Sequence, residues 1–160
     1  MSKIYVIGSL RNPLVPEYAS KLREQGHEVF DDWYAAGPEA DDYWQKYETA
    51  RGRNYAEALD GYAAKHVFYF DKHHLDNNDL AVLVLPAGKS GHMELGYFMG
   101  TGKPGYILFD DDVENCRWDV MYEFAVDSGG GVFFDFDTLA NELAGNTKPI
   151  NTMLGGIPHF

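Results

Sequence analysis

The chain has 160 residues, 45% of them hydrophobic and 24% charged, which fits a single folded domain with one core and excludes wholesale disorder and fibrous or collagen-like architecture. Asp plus Glu number 25 against 13 Lys plus Arg, a formal charge of -12, so a phosphate-tracking surface for polymeric nucleic acid is not expected. The one cysteine, Cys116, excludes an internal disulfide framework and a multi-thiolate metal site.

Residues 3–7 are rich in β-branched and aromatic side chains and end at Gly8-Ser9, the pattern of a buried first strand. Residues 17–25 carry Tyr18, Ala19 and Leu22 at helical spacing, with Gly26 placed to end the helix, and residues 27–30 read as a second strand. Residues 31–54 set Trp33, Tyr34, Tyr43, Trp44 and Tyr47 among acidic residues and Gly37-Pro38, which predicts a loop with a short helix lying over something. Residues 55–70 repeat Ala58, Leu59, Tyr62, Ala63, His66 and Val67 at three- and four-residue spacing, the signature of an amphipathic helix packed on a sheet. Residues 80–85, Leu-Ala-Val-Leu-Val-Leu, form an uninterrupted apolar run, as expected of a central strand covered on both faces. A helix over 92–101, a Gly102-Lys103-Pro104 turn, a strand over 106–109 and a last strand over 132–134 follow.

This alternation predicts one α/β domain over residues 1–145: an open, mainly parallel, doubly wound sheet, flavodoxin-like or Rossmann-like, with helices on both faces and a ligand site beyond the carboxyl ends of the strands. The tail 146–160, with Pro149, Gly155-Gly156 and Pro158, is expected to be irregular. No uncharged apolar run approaches the ~18 residues of a membrane span. The first residues enter a strand instead of a signal peptide, so a cytoplasmic protein without a membrane partner is expected.

In a parallel sheet the loops after Ile7, Phe30 and Leu85 share one edge, gathering Ser9, Arg11, Asn12, Asp32, Trp33, Ser90, His92 and Glu94. Glu94 stands in an otherwise apolar helix start. A helix N-terminus would keep its carboxylate ionised while apolar neighbours limit solvation, which suits a nucleophile. With Gly91 as N-cap, the same residue would simply cap the helix, and position alone favours that reading. The segment 71–79, dense in Asp and His, lies before the central strand and reads as a solvated connection; it matches no metal-binding spacing, and no metal is expected. Gly88-Lys89-Ser90 is similar to the end of a phosphate-binding loop, but the earlier glycine would fall at Leu83, so it is not one. Gly8, Ser9 and Arg11 lack the dinucleotide fingerprint yet could hold a small anion; alternatively Arg11 pairs with a surface acid.

Ser90-Gly91-His92-Met93-Glu94-Leu95-Gly96-Tyr97, followed by Gly100-Thr101-Gly102-Lys103-Pro104, resembles the Glu-Leu-Gly helix and Gly-Lys-Pro turn of the nucleoside 2-deoxyribosyltransferase superfamily, which includes nucleotide N-glycosidases. Tyr5-Val6-Ile7-Gly8-Ser9-Leu10-Arg11 is similar to the first strand and loop of the deoxynucleoside 5'-monophosphate N-hydrolase branch. Asp71, eight residues before Asp79, matches the spacing of that family's catalytic aspartate. The resemblance spans residues 3–109. It implies that Glu94 attacks the anomeric carbon, Asp71 assists proton transfer at the base, and Tyr5 orients the glutamate. It further implies that Gly8, Ser9, Arg11, Asn12, Ser90, Gly91 and His92 contact substrate, that no cofactor is needed, and that a second copy of the chain completes the pocket.

With the resemblance added, the catalytic reading of Glu94 overtakes the capping one. This chain has Gly88 where the free-nucleoside transferases carry an aspartate six residues before the glutamate, so base recognition is expected to differ there. The expected function is cleavage of the N-glycosidic bond of 2'-deoxyribonucleosides or their 5'-monophosphates, with transfer to another base or to water. The alternatives are a purely hydrolytic nucleoside-monophosphate glycosidase, cleavage of a larger nucleotide such as NAD, and a silent nucleotide-binding module.

Overall fold

The computed structural model describes residues 1–145; the tail expected to be irregular, 146–160, lies outside the described residues. Five strands, β1 (Lys3–Ile7), β2 (Glu28–Phe30), β3 (Leu80–Val84), β4 (Gly105–Leu108) and β5 (Gly131–Phe133), form one sheet in the order β2-β1-β3-β4-β5. Every neighbouring pair is parallel. This is the flavodoxin-like order, in which the chain reverses direction between β1 and β3. The expected open, doubly wound α/β sheet is therefore the observed one.

Alternation along the strands builds two cores. Ile4, Val6, Leu80, Val82 and Val84 point to one face, where α1 (Leu14–Glu24) brings Val15, Ala19 and Leu22 and α7 (Phe136–Leu143) brings Leu139 and Leu143. Tyr5, Ile7, Ala81 and Leu83 point to the other, against Leu75 of α4 (Tyr62–Asn77), Leu95 and Phe98 of α5 (Lys89–Gly100) and Ala125 of α6 (Glu123–Asp127). All five residues of β3 are buried, as its unbroken apolar run requires.

Four local expectations change. The helix expected over 55–70 is two helices, α3 (Tyr55–Leu59) and α4, broken at Asp60-Gly61. Gly61 has extended backbone, and a Cβ there would stand 2.9 Å from the Arg53 guanidinium, so glycine permits the close passage. Only Leu75 of α4 is buried, so this helix meets the core at its C-terminal end instead of lying along the sheet. The solvated connection expected over 71–79 is helical through Asn77, because Leu75 reaches the core and Lys103 donates to the carbonyls of Leu75 and Asn78, at 2.7 and 2.9 Å, closing the helix end. Within 31–54 a 3-10 turn (Asp32–Ala36) is followed by an eleven-residue helix, α2 (Ala40–Ala50). Finally, α5 begins at Lys89 with Gly88 as N-cap, not at Gly91.

Candidate active site

The reversal between β1 and β3 opens a cleft at the carboxyl ends of the strands. A cavity of about 950 Å³ lies there, floored by Gly8, Ser9, Leu10 and Arg11 after β1 and by Gly88 to Gly91 at the start of α5. Asp32 and Trp33, after β2, and side chains of α2 and α4 form the remaining walls. The volume is at the upper end of the ~300–1,000 Å³ typical of small-molecule sites.

Packing fixes the floor. A Cβ on Gly8 would stand 2.6 Å from Val15 Cγ2 of α1, and one on Gly91 would stand 3.2 Å from both Ile7 Cγ2 and Leu83 Cδ1. These two glycines let α1 and α5 close onto the strand ends. Gly91, Leu95 and Phe98 are the buried stripe of α5, which leaves Glu94, one turn beyond Gly91, turned into the cavity.

Glu94 is the sixth residue of its helix, beyond the first-turn amides, so the capping reading fails. Its partner is Tyr5 of β1, whose hydroxyl donates to Glu94 Oε2 at 3.1 Å. Tyr5 is fully buried, and burial together with the Glu94 and Asp71 carboxylates pushes its phenol well above the ordinary range, so it stays a proton donor. Burial and the charge of Asp71 raise Glu94 to about 7, against the opposing hydrogen bond from Tyr5. Burial alone raises Asp71 to about 6.

Asp71 reaches the cavity because of how α4 docks. His74 stacks on Phe30 at the end of β2, with ring centroids 3.8 Å apart and planes 12° from parallel, while Phe70 lies 5.8 Å from the same ring. With Leu75 in the core, these contacts fix the helix rotation and aim Asp71 at the cleft. Phe30 also lies 5.1 Å from Tyr5, so the ring that α4 docks on touches the hydrogen-bond partner of Glu94.

The residues expected to contact substrate divide. Gly8, Ser9, Arg11, Ser90 and Gly91 line the cavity. Asn12 does not: it is buried, receives the Leu14 N–H at 3.0 Å on Oδ1, and directs Nδ2 toward the carbonyls of Val84 and Pro86. It holds the loop after β1 to the end of β3. His92 is turned away, with Nδ1 2.8 Å from the Gly88 carbonyl and Nε2 2.7 Å from the Tyr122 hydroxyl, so it ties the start of α5 to the segment before α6. Arg11 approaches Asp42 at 4.0 Å with both side chains largely exposed, 72% and 61%. Such a pair is screened and weak, which leaves the guanidinium free to meet a ligand.

Sequence reasoning missed Lys89, which joins Arg11, Ser9 and Ser90 on the floor. Its signal is the Gly88-Lys89-Ser90 run, which fails as a phosphate-binding loop yet places a lysine at the start of α5. Trp44 and Tyr47, one face of α2, also line the cavity. Among the described residues no group of three or more His, Cys, Asp or Glu side chains stands together as a metal ion would need, and no helix is long and apolar enough to cross a membrane.

No protein-family model matches the chain, and no curated protein matches it in sequence. Solved structures do match. One is a 2-deoxyribosyltransferase from the psychrotolerant bacterium Bacillus psychrosaccharolyticus, with a TM-score of 0.58 at 20% identity, covering 92% of this chain and 98% of that one. Another is a conserved protein from Enterococcus faecalis V583, with a TM-score of 0.55 at 18% identity, covering 92% and 99%. At this distance the likeness establishes the shared α/β fold across nearly the whole domain.

Proposed function

We propose that this chain is an N-glycosyl enzyme of the deoxyribosyltransferase type, cleaving 2'-deoxyribonucleosides or their 5'-monophosphates through Glu94. The observation that carries the reading is the hydrogen bond from Tyr5 to Glu94 inside a cleft shared with a second raised carboxyl, Asp71. Two carboxyl groups with raised affinity for a proton share about one proton near neutrality; the reactive form carries it on Asp71 with Glu94 ionised, and the higher value at Glu94 makes that form the less populated of the two.

The steps follow from that pair. The Glu94 carboxylate attacks C1' of the sugar, forming a C–O ester bond as the C1'–N bond breaks and its electron pair moves to the base. The Asp71 carboxyl gives its proton to the departing base. Oxocarbenium character at C1' is stabilised by the adjacent carboxylate, and Tyr5 holds that carboxylate in one orientation throughout. In the second half a water, or the nitrogen of another base, attacks C1' while Asp71 takes its proton, and Glu94 is released.

Arg11, Lys89, Ser9 and Ser90 lie on one side of the cavity in a protein of charge -12, and the start of the twelve-residue α5 opens beside them. This local cationic end favours a 5'-monophosphate over a free nucleoside. The partner is accordingly a small nucleotide. The exposed rings of Tyr43, Tyr47, Tyr55, Phe68 and Tyr69 support a homo-oligomer in which a second copy covers this side.

The decisive experiment incubates the purified chain with deoxynucleosides and their monophosphates, with and without a second base. Free base alone indicates hydrolysis and a new nucleoside indicates transfer. Saturable binding without turnover indicates a silent module. Full turnover in a folded Glu94→Ala variant would remove the proposed nucleophile.

A further inference from the structure

Gly88, the N-cap of α5, is exposed and has no side chain with which to cap the helix, so the turn that brings Lys89 and Ser90 to the cleft starts at the residue type with the greatest backbone freedom. Its restraint comes from outside the cleft. The Gly88 carbonyl accepts the His92 backbone N–H at 3.3 Å and stands 2.8 Å from His92 Nδ1, while His92 Nε2 stands 2.7 Å from the Tyr122 hydroxyl. Neither His92 nor Tyr122 lines the cavity.

The chemistry of the three groups sets the direction of these bonds. A carbonyl only accepts, so Nδ1 carries the ring proton; Nε2 of the neutral ring is then bare and accepts from the Tyr122 O–H. Turning the ring over would set carbon atoms against both partners and lose both bonds. Burial, with the Asp119 and Asp110 charges outweighing Arg117, pushes the Tyr122 phenol up, so it keeps the proton that it donates. Tyr122 is itself held. Its ring lies 5.6 Å from that of Phe109, tilted by 61°, and its backbone N–H donates to the Asp119 carbonyl at 3.2 Å. Phe109, directly after β4, stacks in turn on Phe134, directly after β5, with centroids 5.1 Å apart. The start of α5 is thereby tied to the far edge of the sheet.

We propose that His92 and Tyr122 are positioning residues: their hydrogen-bond relay, from the Tyr122 O–H to His92 and from His92 to the Gly88 carbonyl, holds the Lys89-Ser90 turn in the arrangement that receives an anionic group of the ligand. Naming that anion as the 5'-phosphate of a nucleotide rests on the reading above; the direction of the relay does not.

The test first reads the imidazole nitrogens of the full chain by long-range proton–nitrogen-15 NMR at about pH 8, above the ordinary imidazole range, with His92→Leu identifying the His92 signals. The expected result is a protonated Nδ1 and a bare Nε2. The backbone amides of Lys89 and Ser90 are then followed while inorganic phosphate is added. Tyr122→Phe keeps the ring and removes only the hydroxyl, and should weaken phosphate binding about three- to tenfold. His92→Leu should lose at least as much, and His92→Gln, whose amide offers one donor and one acceptor, should recover part of that loss. A proton on Nε2 of His92, no saturable response to phosphate in the native chain, or equal affinity in the native chain, Tyr122→Phe and His92→Leu would each overturn the proposal. Turnover is not read, so failure here leaves Glu94 chemistry on free nucleosides standing, and a chain without that chemistry still tests the relay.

Discussion

The floor of the cleft and its roof are built on opposite principles. The floor is β1, β3 and the start of α5, where every residue of β3 is buried and two glycines bring helices against the strand ends. The roof is α2, α3 and the first half of α4. There Tyr62 is 92% exposed, and α2 buries one side chain, a glutamate. Glu94 and Tyr5, the proposed nucleophile and its orienting partner, belong to the closely packed floor, and in that reading the exposed rings of the roof are left to cover a ligand. Asp71 is the hinge between them, carried on a roof helix but anchored by His74 and Leu75.

The largest expected effect removes the proposed nucleophile on the floor. Glu94→Ala should lower kcat/KM for the nucleotide by about 10³-fold or more, ~4 kcal/mol of transition-state stabilisation, with the melting temperature unchanged or raised. Substrate turnover and thermal unfolding on the same preparation check this. A smaller loss would move the chemistry toward the roof and dissolve the contrast.

Next comes pH. With Asp71 near 6 and Glu94 near 7, the pair holds about one proton between those values. Below that window both are neutral and the nucleophile is lost; above it both are ionised and the acid is lost. The profile of kcat/KM should be a narrow bell centred between pH 6 and 7. Stability gives an independent reading. The folded chain holds the Glu94 proton more tightly than the unfolded chain, so stability falls as pH rises from the ordinary carboxyl range through about 7. Glu94→Gln should therefore stabilise the chain at pH 8 by up to about 3 kcal/mol, with the difference vanishing near pH 4. Denaturant unfolding at the two pH values decides it.

How much of this was legible in the sequence depends on the range of the signal. The unbroken run at 80–85 marked the central strand, and the order of strands and helices gave the sheet, because period and punctuation are local. Asp60-Gly61 was not read as a break, since a glycine in a helical pattern looks the same whether it is tolerated or extended. The start of α5 was misplaced because Gly88 and Gly91 are both plausible caps, and only packing against Ile7 and Leu83 puts Gly91 inside the helix. Helix α7 was missed although Asp135 caps it by accepting the Thr138 N–H at 2.8 Å. The pairing of Tyr5 with Glu94, 89 residues apart, has no local signature at all and entered through resemblance.

A smaller effect concerns the cationic end of the floor. Arg11→Ala should raise KM for a 5'-monophosphate about tenfold while leaving the free nucleoside nearly unchanged, because its exposed contact with Asp42 contributes little to folding. Equal losses for both substrates would place the arginine at the sugar or base instead.

The smallest expected effect lies on the roof itself. Phe68 and Tyr69 are 57% and 62% exposed, so Phe68→Ser with Tyr69→Ser should change the stability of the isolated chain by only about 0.5 kcal/mol per site. A core change such as Leu83→Ala should cost about 2 to 5 kcal/mol. If a second copy rests on these rings, the double variant shifts the sedimentation equilibrium toward monomer and raises KM without lowering kcat in proportion, because a roof closed by a neighbour binds substrate but does not perform the chemistry. If sedimentation and KM are both unmoved, the rings belong to the monomer's own surface, and the cleft must hold its ligand with the floor alone.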